Sequence, residues 1–399
     1  MRRKAKIKAV IFVSGGIACL GIILLAALFI ISGGFMQQTY MAPWSKSYTA
    51  TYSDPRVRLA SIGLLAASNH NMQPWKIKLD KSDSMTFYLY ADSSRMTKEV
   101  DPYARQMMIS QGTFLEYVAV AGEKEGWRTK ISFFPNGMYD ESQLTISMNT
   151  KPVAKITLTK TQPQNNPLYN ATFLPDTNRE AYKAQKLSLA QVNALESIPT
   201  ETGVSLKLFQ DKINVNKIGI YSLHSAAIEA GVTRVMNESN AIFRANEYQK
   251  NKYRYGYSVE GQGTSGFMKN ILQGIVTLFP SMNTGKSASQ NFINYTQTSI
   301  NNTPAYVMVV STDNSRVAQI KSGMLYSKIV LTGHNLGLAM QPLSQVLEEY
   351  PEMKVPYAEF KQAYASNGGT VQMLFRVGEP TKSTLLSMRR DVKSLIVEN

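Results

Sequence analysis

Apolar residues fall along this chain in three kinds of pattern. Residues 9–32 run almost without interruption through Ala, Val, Ile, Leu, Phe and Gly and carry no charge. Helical spacing governs residues 54–67 and, most clearly, 103–125, where Met107, Met108, Phe114, Leu115, Val118 and Ala119 recur at helical intervals. Short strand-like runs occupy 75–80, 85–91, 128–134, 143–148 and 153–159. The stretch 160–168 is polar, holds Pro163 and Pro167, and makes the best domain boundary. The pattern then restarts, with Thr177 and Ser188 as caps, helices over Leu189–Ile198 and 217–236, and a buried strand at 305–311. A long helix over 318–340 breaks near Gly337, and a last strand covers 371–377. Between 244 and 300, polar and aromatic loops flank an apolar run from Phe267 to Phe279. Both halves thus place helices around a few strands, without an exact repeat.

The first apolar run exceeds the ~20 residues that cross a bilayer, whereas a signal peptide's apolar region is usually only ~7–15 residues. No convincing Ala-x-Ala site follows, so an uncleaved transmembrane helix is expected over 9–33, with 34–50 as a short tether. Arg2, Arg3, Lys4, Lys6 and Lys8 precede the run and favour a cytoplasmic 1–8 segment. The bulk of the chain is then expected outside the cytoplasm, on a single-pass cell-membrane anchor.

Composition narrows the chemistry. Hydrophobic residues make up 44% and charged residues 18%, as in a folded protein, and 399 residues allow two domains. Lys and Arg outnumber Asp and Glu by 43 to 28, a balance that favours phosphate ligands or anionic surfaces. No basic stripe with interleaved aromatics appears, so nucleic acid is not an expected partner. Cys19, the single cysteine, sits in the first apolar run, which excludes disulfides and cysteine metal sites elsewhere. His70, His224 and His334 lie far apart, and neither H-E-x-x-H nor G-x-S-x-G occurs. Zinc and serine-triad chemistry are therefore not expected.

Four segments stand out. Ser68, Asn69, His70, Asn71 and Gln73 crowd the end of a helical run before Pro74 and Trp75. They read either as a helix cap or as the polar edge of a ligand site. Thr177-Asn178-Arg179 reads as a capped surface arginine or as a phosphate clamp. Gly337-Leu338 reads as an ordinary C-cap, and Gly378-Glu379-Pro380 with Arg389-Arg390 as a solvated tail. Gly261-Gln262-Gly263-Thr264-Ser265-Gly266 matches G-x-G-x-x-G, but it lacks a good preceding strand and a later acidic residue, so a flexible loop is expected.

Taken together, these segments resemble the nitroreductase superfamily, and more closely its Acg-like branch, in which one chain carries two tandem nitroreductase-type halves. Ala67-Ser68-Asn69-His70-Asn71-Met72-Gln73-Pro74-Trp75 is similar to that branch's P-S-x-H-N-x-Q-P-W motif, with Ala67 in place of the proline. Tyr90 to Arg95, Asp101 to Arg105, Ser110-Gln111-Gly112, Thr177-Asn178-Arg179, Gly337-Leu338 and Val371 to Gly378 follow in the family's order, over roughly residues 55–395. The resemblance implies an α/β (α+β) nitroreductase-like fold: a first half at 51–163 and a second at 164–399, forming an intramolecular pseudo-dimer behind one transmembrane helix. It also implies FMN, held by Ser68, Asn69, His70, Asn71 and Gln73 of the first half. Facing them would be Arg179, Gly337, Leu338 and Arg389 or Arg390 of the second. The first half lacks the family's R-x-S-x-R opening, and His224-Ser225-Ala226 is only a faint echo of the polar turn, so one complete and one decayed site are expected. Chemistry would reside in the flavin, with no catalytic side chain and no metal.

The expected function is a membrane-anchored oxidoreductase passing hydride through flavin N5 to a quinone, nitro-aromatic or similar small acceptor. One rival is a flavin-sequestering protein whose insertion at 244–300 forms a lid, with Phe267, Ile271, Ile275 and Phe279 over the pocket. Those four residues equally suit a core helix or a membrane-lying one. Another rival is a wall-associated structural protein that has lost its flavin. Scarcity of NAD(P)H outside the cytoplasm weighs against the simplest enzyme reading.

Overall fold

The computed structural model describes residues 2–397; the side chains of residues 2–13 and of Gln262 are outside the described set. The basic residues on which the expected orientation rests are among them. The chain opens with helix α1 (Arg2–Ile31), whose Ser14–Ile31 portion has mean hydropathy 2.6 and is long and apolar enough to cross a membrane. Short α2 (Lys46–Ala50) and α3 (Pro55–Gly63) follow; Asp54 accepts from Arg56 N to cap α3, with Pro55 at its first position. Next come β1 (Trp75–Leu79), β2 (Thr86–Ala91), α4 (Arg105–Glu125), β3 (Trp127–Phe133), α5 (Leu144–Thr150) and β4 (Ala154–Lys160). The second half runs α6 (Leu189–Glu196), β5 (Val204–Phe209), then α7 (Lys212–Gly231), α8 (Thr233–Ala241), α9 (Glu247–Tyr253), α10 (Gly266–Leu278) and α11 (Gly285–Asn301). It closes with β6 (Ala305–Ser311), α12 (Arg316–Asn335), β7 (Ala339–Pro342), α13 (Lys354–Tyr364) and β8 (Thr370–Gly378).

Two antiparallel four-stranded sheets result, β1-β2-β4-β3 and β5-β6-β8-β7. Each half repeats one path: short helix, turn, two strands, long helix, two strands, with α7–α11 inserted between β5 and β6. The same spacing separates Arg105 from Arg316, Ile109 from Ile320 and Gly112 from Gly323, so α4 and α12 are counterparts. They cross through those glycines. A Cβ on Gly112 would stand 1.9 Å from Ile320 O, and one on Gly323 would stand 1.9 Å from Ile109 O. Each helix begins with an arginine that reaches the opposite half. Arg105 donates to Gln372 O (2.6 Å) and Leu347 O (2.8 Å), and Arg316 donates to Glu141 Oε2 (2.6 Å). Two similar halves thus pack against each other within one chain. The C-terminal tail completes this packing by crossing back: Ile396 pairs in parallel with Ile77, and Val397 N donates to Ile77 O (2.9 Å).

β6 is buried on both faces, which explains its unbroken apolar run. Ala305, Val307 and Val309 enter one core cluster, and Tyr306, Met308 and Val310 another. Two expectations are corrected. Residues 143–148, expected as a strand, fall in a short turn and α5, because Asp140 accepts from Ser142 N to start a helical turn and Met148 drops into the first core. Residues 34–50 are no tether: Tyr40 and Trp44 are buried, Trp44 Nε1 donates to Ser387 O (2.8 Å), and Arg389 N donates to Tyr40 O (3.1 Å).

Candidate functional site

The polar segment joins α3 to β1 by an unusual turn. His70, Asn71 and Gln73 all take positive φ (47°, 52° and 50°) without being glycine, each at a cost of about 1–3 kcal/mol. Internal hydrogen bonds hold this shape. Ser68 Oγ accepts from Gln73 N (2.9 Å), and Asn69 exchanges hydrogen bonds with Ser110 of α4, its N–H donating to Ser110 Oγ (3.1 Å). Asn71 Nδ2 donates to Gly256 O (3.0 Å) and Met388 O (3.1 Å), while Gln73 Nε2 donates to Arg254 O (2.9 Å). Amides of the turn therefore clamp it to the insertion and to the C-terminal tail.

His70 is different. Its ring makes no hydrogen bond among the described residues, and burial together with the charge of Arg179 pushes its pKa down to about 4. It is therefore neutral at pH 7, with one nitrogen to donate and one to accept. That electrostatic contact also brings Arg179 of the second half to the turn of the first. Arg179 keeps an exposed surface although protein closes round it, with Tyr182, Tyr257 and Tyr326 in electrostatic reach. Its Nη1 donates to Gly261 O (2.9 Å), and Asn178 N donates to Met340 O (2.9 Å), which ties the segment to β7. Tyr326 Oη is buried without a partner.

The C-terminal arginines are both buried against protein acceptors. Arg389 donates to Asp176 Oδ2 (3.0 Å), Leu65 O (2.7 Å) and Asn71 Oδ1 (3.1 Å), and lies 4.5 Å over the Trp44 ring. Arg390 donates through its backbone to Gln73 Oε1 (2.8 Å) and through Nη1 to Gln73 O (3.0 Å). Arg179 is thus the cation with surface to offer a ligand. Gly337 (φ 71°) ends α12, and Leu338 N donates back to Gly333 O (2.8 Å), which is a C-cap. Leu338 is buried in the second half's core, against which Ala67 also packs.

His224-Ser225-Ala226 lies within α7 and is no echo of the turn. The topological counterpart, between α6 and β5, is Ser197-Ile198-Pro199-Thr200-Glu201-Thr202, which has no amide or imidazole. Sequence reasoning missed Asp176, Tyr182, Tyr257 and Tyr326. The run Tyr253-Arg254-Tyr255-Gly256-Tyr257 was the available signal, and Gly261 of the dismissed glycine loop supplies Arg179's acceptor.

No protein-family model matches the chain. A Mycobacterium tuberculosis protein assigned by name to the NAD(P)H nitroreductases is 22% identical over 321 residues, covering 80% of this chain and 83% of its own. Among solved structures, an Anabaena variabilis protein assigned by name to the nitroreductases aligns over 79% of this chain and 82% of its own, at 9% identity and TM-score 0.37. A Desulfitobacterium hafniense nitroreductase with bound FMN aligns over 55% and 93%, at 10% identity and TM-score 0.32. In the order of its motifs the chain is thus similar to proteins named as nitroreductases, and its sheet-and-helix unit is duplicated.

Proposed function

We propose that this chain is an FMN-dependent oxidoreductase of the nitroreductase type, held at a membrane by α1, with one flavin site per chain. The observation that carries this reading is the meeting of a strained first-half turn with Arg179 of the second half. Three tyrosines stand within electrostatic reach of Arg179, and one of them, Tyr326, has a buried hydroxyl left unsatisfied. That donor set suits FMN. Arg179 would take the phosphate as a charge-assisted donor, neutral His70 would face the polar ring edge, and Tyr182, Tyr257 and Tyr326 would wall the rings. Ser68, Asn69, Asn71 and Gln73 fix the turn, Arg389 and Arg390 lock the tail onto it, and Gly337-Leu338 ends the helix behind. Bound FMN would supply hydride acceptance and donation. The protein would orient the flavin and exclude water, and a quinone, nitro-aromatic or similar small molecule is the acceptor class. The Acg-like branch is the best match within the superfamily, and the basic N-terminus favours an extracytoplasmic body.

A second reading, flavin sequestration, is favoured by one observation: the insertion hydrogen-bonds to both the turn and Arg179. Arg254 and Gly256 accept from the turn, and Gly261 accepts from Arg179. Anaerobic addition of NADPH to the flavin-loaded full chain in detergent separates the two. Bleaching of the flavin supports the nicotinamide-driven enzyme. A bound flavin that NADPH leaves oxidised but dithionite reduces contradicts it and supports sequestration.

A further inference from the structure

Helix α10 turns most of its polar groups inward and its largest apolar side chains outward. It buries Lys269, Gln273 and Gly274 together with one apolar residue, Ile271, and it exposes Phe267 (56%), Met268 (58%), Leu278 (48%) and, just beyond its end, Phe279 (57%). Scattered exposed apolar residues are ordinary. A helix that turns its polar groups inward and its largest apolar ones outward is not, and it implies an apolar exterior.

The neighbouring element says which exterior. α10 packs on the last turns of α1. A Cβ on Gly274 would stand 2.5 Å from Leu28 O, and Phe267 stacks on Phe29 at 5.9 Å. Ser32 O accepts from Glu247 N (2.9 Å), at the residue after the Ser14–Ile31 apolar stretch. The outward face of α10 therefore continues the exposed apolar surface of α1. An apolar groove of about 550 Å³ between them is lined by Ile22, Leu25, Phe29, Ile30, Phe35 and Phe267, among others.

A buried ionic cluster fixes this placement. Glu247 accepts from Tyr40 Oη (2.6 Å), Lys250 Nζ (2.8 Å), Lys269 Nζ (2.9 Å) and Gln273 Nε2 (3.1 Å), and Lys250 also pairs with Glu260. The polar face of α10 is thereby consumed inside the protein, welded to α9 and to the segment after α1. No Asp or Glu occurs between Glu260 and Asp313, while Lys269 and Lys286 do, so no carboxylate on this stretch would repel anionic headgroups.

We infer that α10 lies in the plane of the bilayer surface, its Phe267–Met268 and Leu278–Phe279 ends seated at the headgroup–acyl boundary beside the outer end of α1. The inference rests on α1 being a membrane anchor. Because the residues just before α10 reach Arg179 through Gly261, the segment bonded to Arg179 then sits at the lipid surface.

The test uses the full chain in phosphatidylcholine–phosphatidylglycerol vesicles. In a Cys19→Ser background, single cysteines replace Phe267, Met268, Leu278 or, as the anchor reference, Leu24, and each carries an environment-sensitive fluorophore. Lipids bearing a nitroxide near the headgroup should quench the three α10 labels by about twofold or more, as for an interfacial helix, and a deep nitroxide should quench the Leu24 label more strongly. Unquenched α10 labels beside a quenched Leu24 label would overturn the inference and leave the anchor standing. Absence of quenching at Leu24 as well would remove the anchor and the inference with it.

Discussion

At the scale of single residues, the three arginines near the polar turn have different duties. Arg389 and Asp176 form a buried pair with side-chain exposures of 1% and 8%, further tied by Tyr117 Oη donating to Asp176 Oδ1 (2.7 Å). Removing one partner of such a pair leaves an uncompensated charge and costs about 3–5 kcal/mol. Arg389→Met should therefore lower the denaturation midpoint sharply, and Arg389→Met with Asp176→Asn should recover part of the loss in the same denaturant series. Arg179, by contrast, has surface to give a ligand. Arg179→Ala should weaken FMN by roughly ten- to a hundredfold, the worth of a charge-assisted hydrogen bond, and riboflavin far less in fluorescence titrations; equal losses would contradict the phosphate assignment. Glu229 bears on pH. Burial raises its carboxyl to about 8, and Glu348 beside it is raised as well. A raised carboxyl contributes stability that is present below the unfolded value and lost as pH rises through the folded one. Melting temperature should therefore fall between pH 6.5 and 8.5, a window above that in which His70 titrates, and Glu229→Gln should flatten the slope.

At the scale of elements, the α4–α12 crossing holds the halves together through backbone approach. Gly112→Ala or Gly323→Ala forces the helices apart and should destabilise by about 1–3 kcal/mol, as overpacking does, measured by chemical denaturation; an unchanged midpoint would contradict the close crossing. How far the elements could be read in advance follows from their burial. α4 was legible because Met107, Met108, Phe114 and Leu115 keep helical spacing, and β6 because both its faces are buried. β5 was missed because its burial is irregular at the sheet edge and Lys207 interrupts it. α5 was misread because Leu144 to Met148 alternate like a strand, whereas a side-chain cap and a single core contact decide their shape. The turn at 68–73 was legible as an excess of short polar groups. That its amides would be spent on Gly256, Arg254 and Met388 was not, because those partners lie far away in sequence. The tyrosine walls escaped notice for the same reason.

At the scale of the whole molecule, two similar halves pack together within one chain, and the tail returning from Arg389 to Ile396 ties them. The duplication is unequal. The turn before β1 carries amides and an imidazole, and its counterpart Ser197–Thr202 carries neither, so a single flavin site per chain is the expected outcome. The insertion between β5 and β6 links α1, the turn and Arg179. The most direct test of this account is flavin stoichiometry. The detergent-solubilised full chain should be saturated with FMN, passed through gel filtration, and assayed for flavin and protein. The account predicts one FMN retained per chain, lost on Arg179→Ala; no retained flavin, or two per chain, would contradict it.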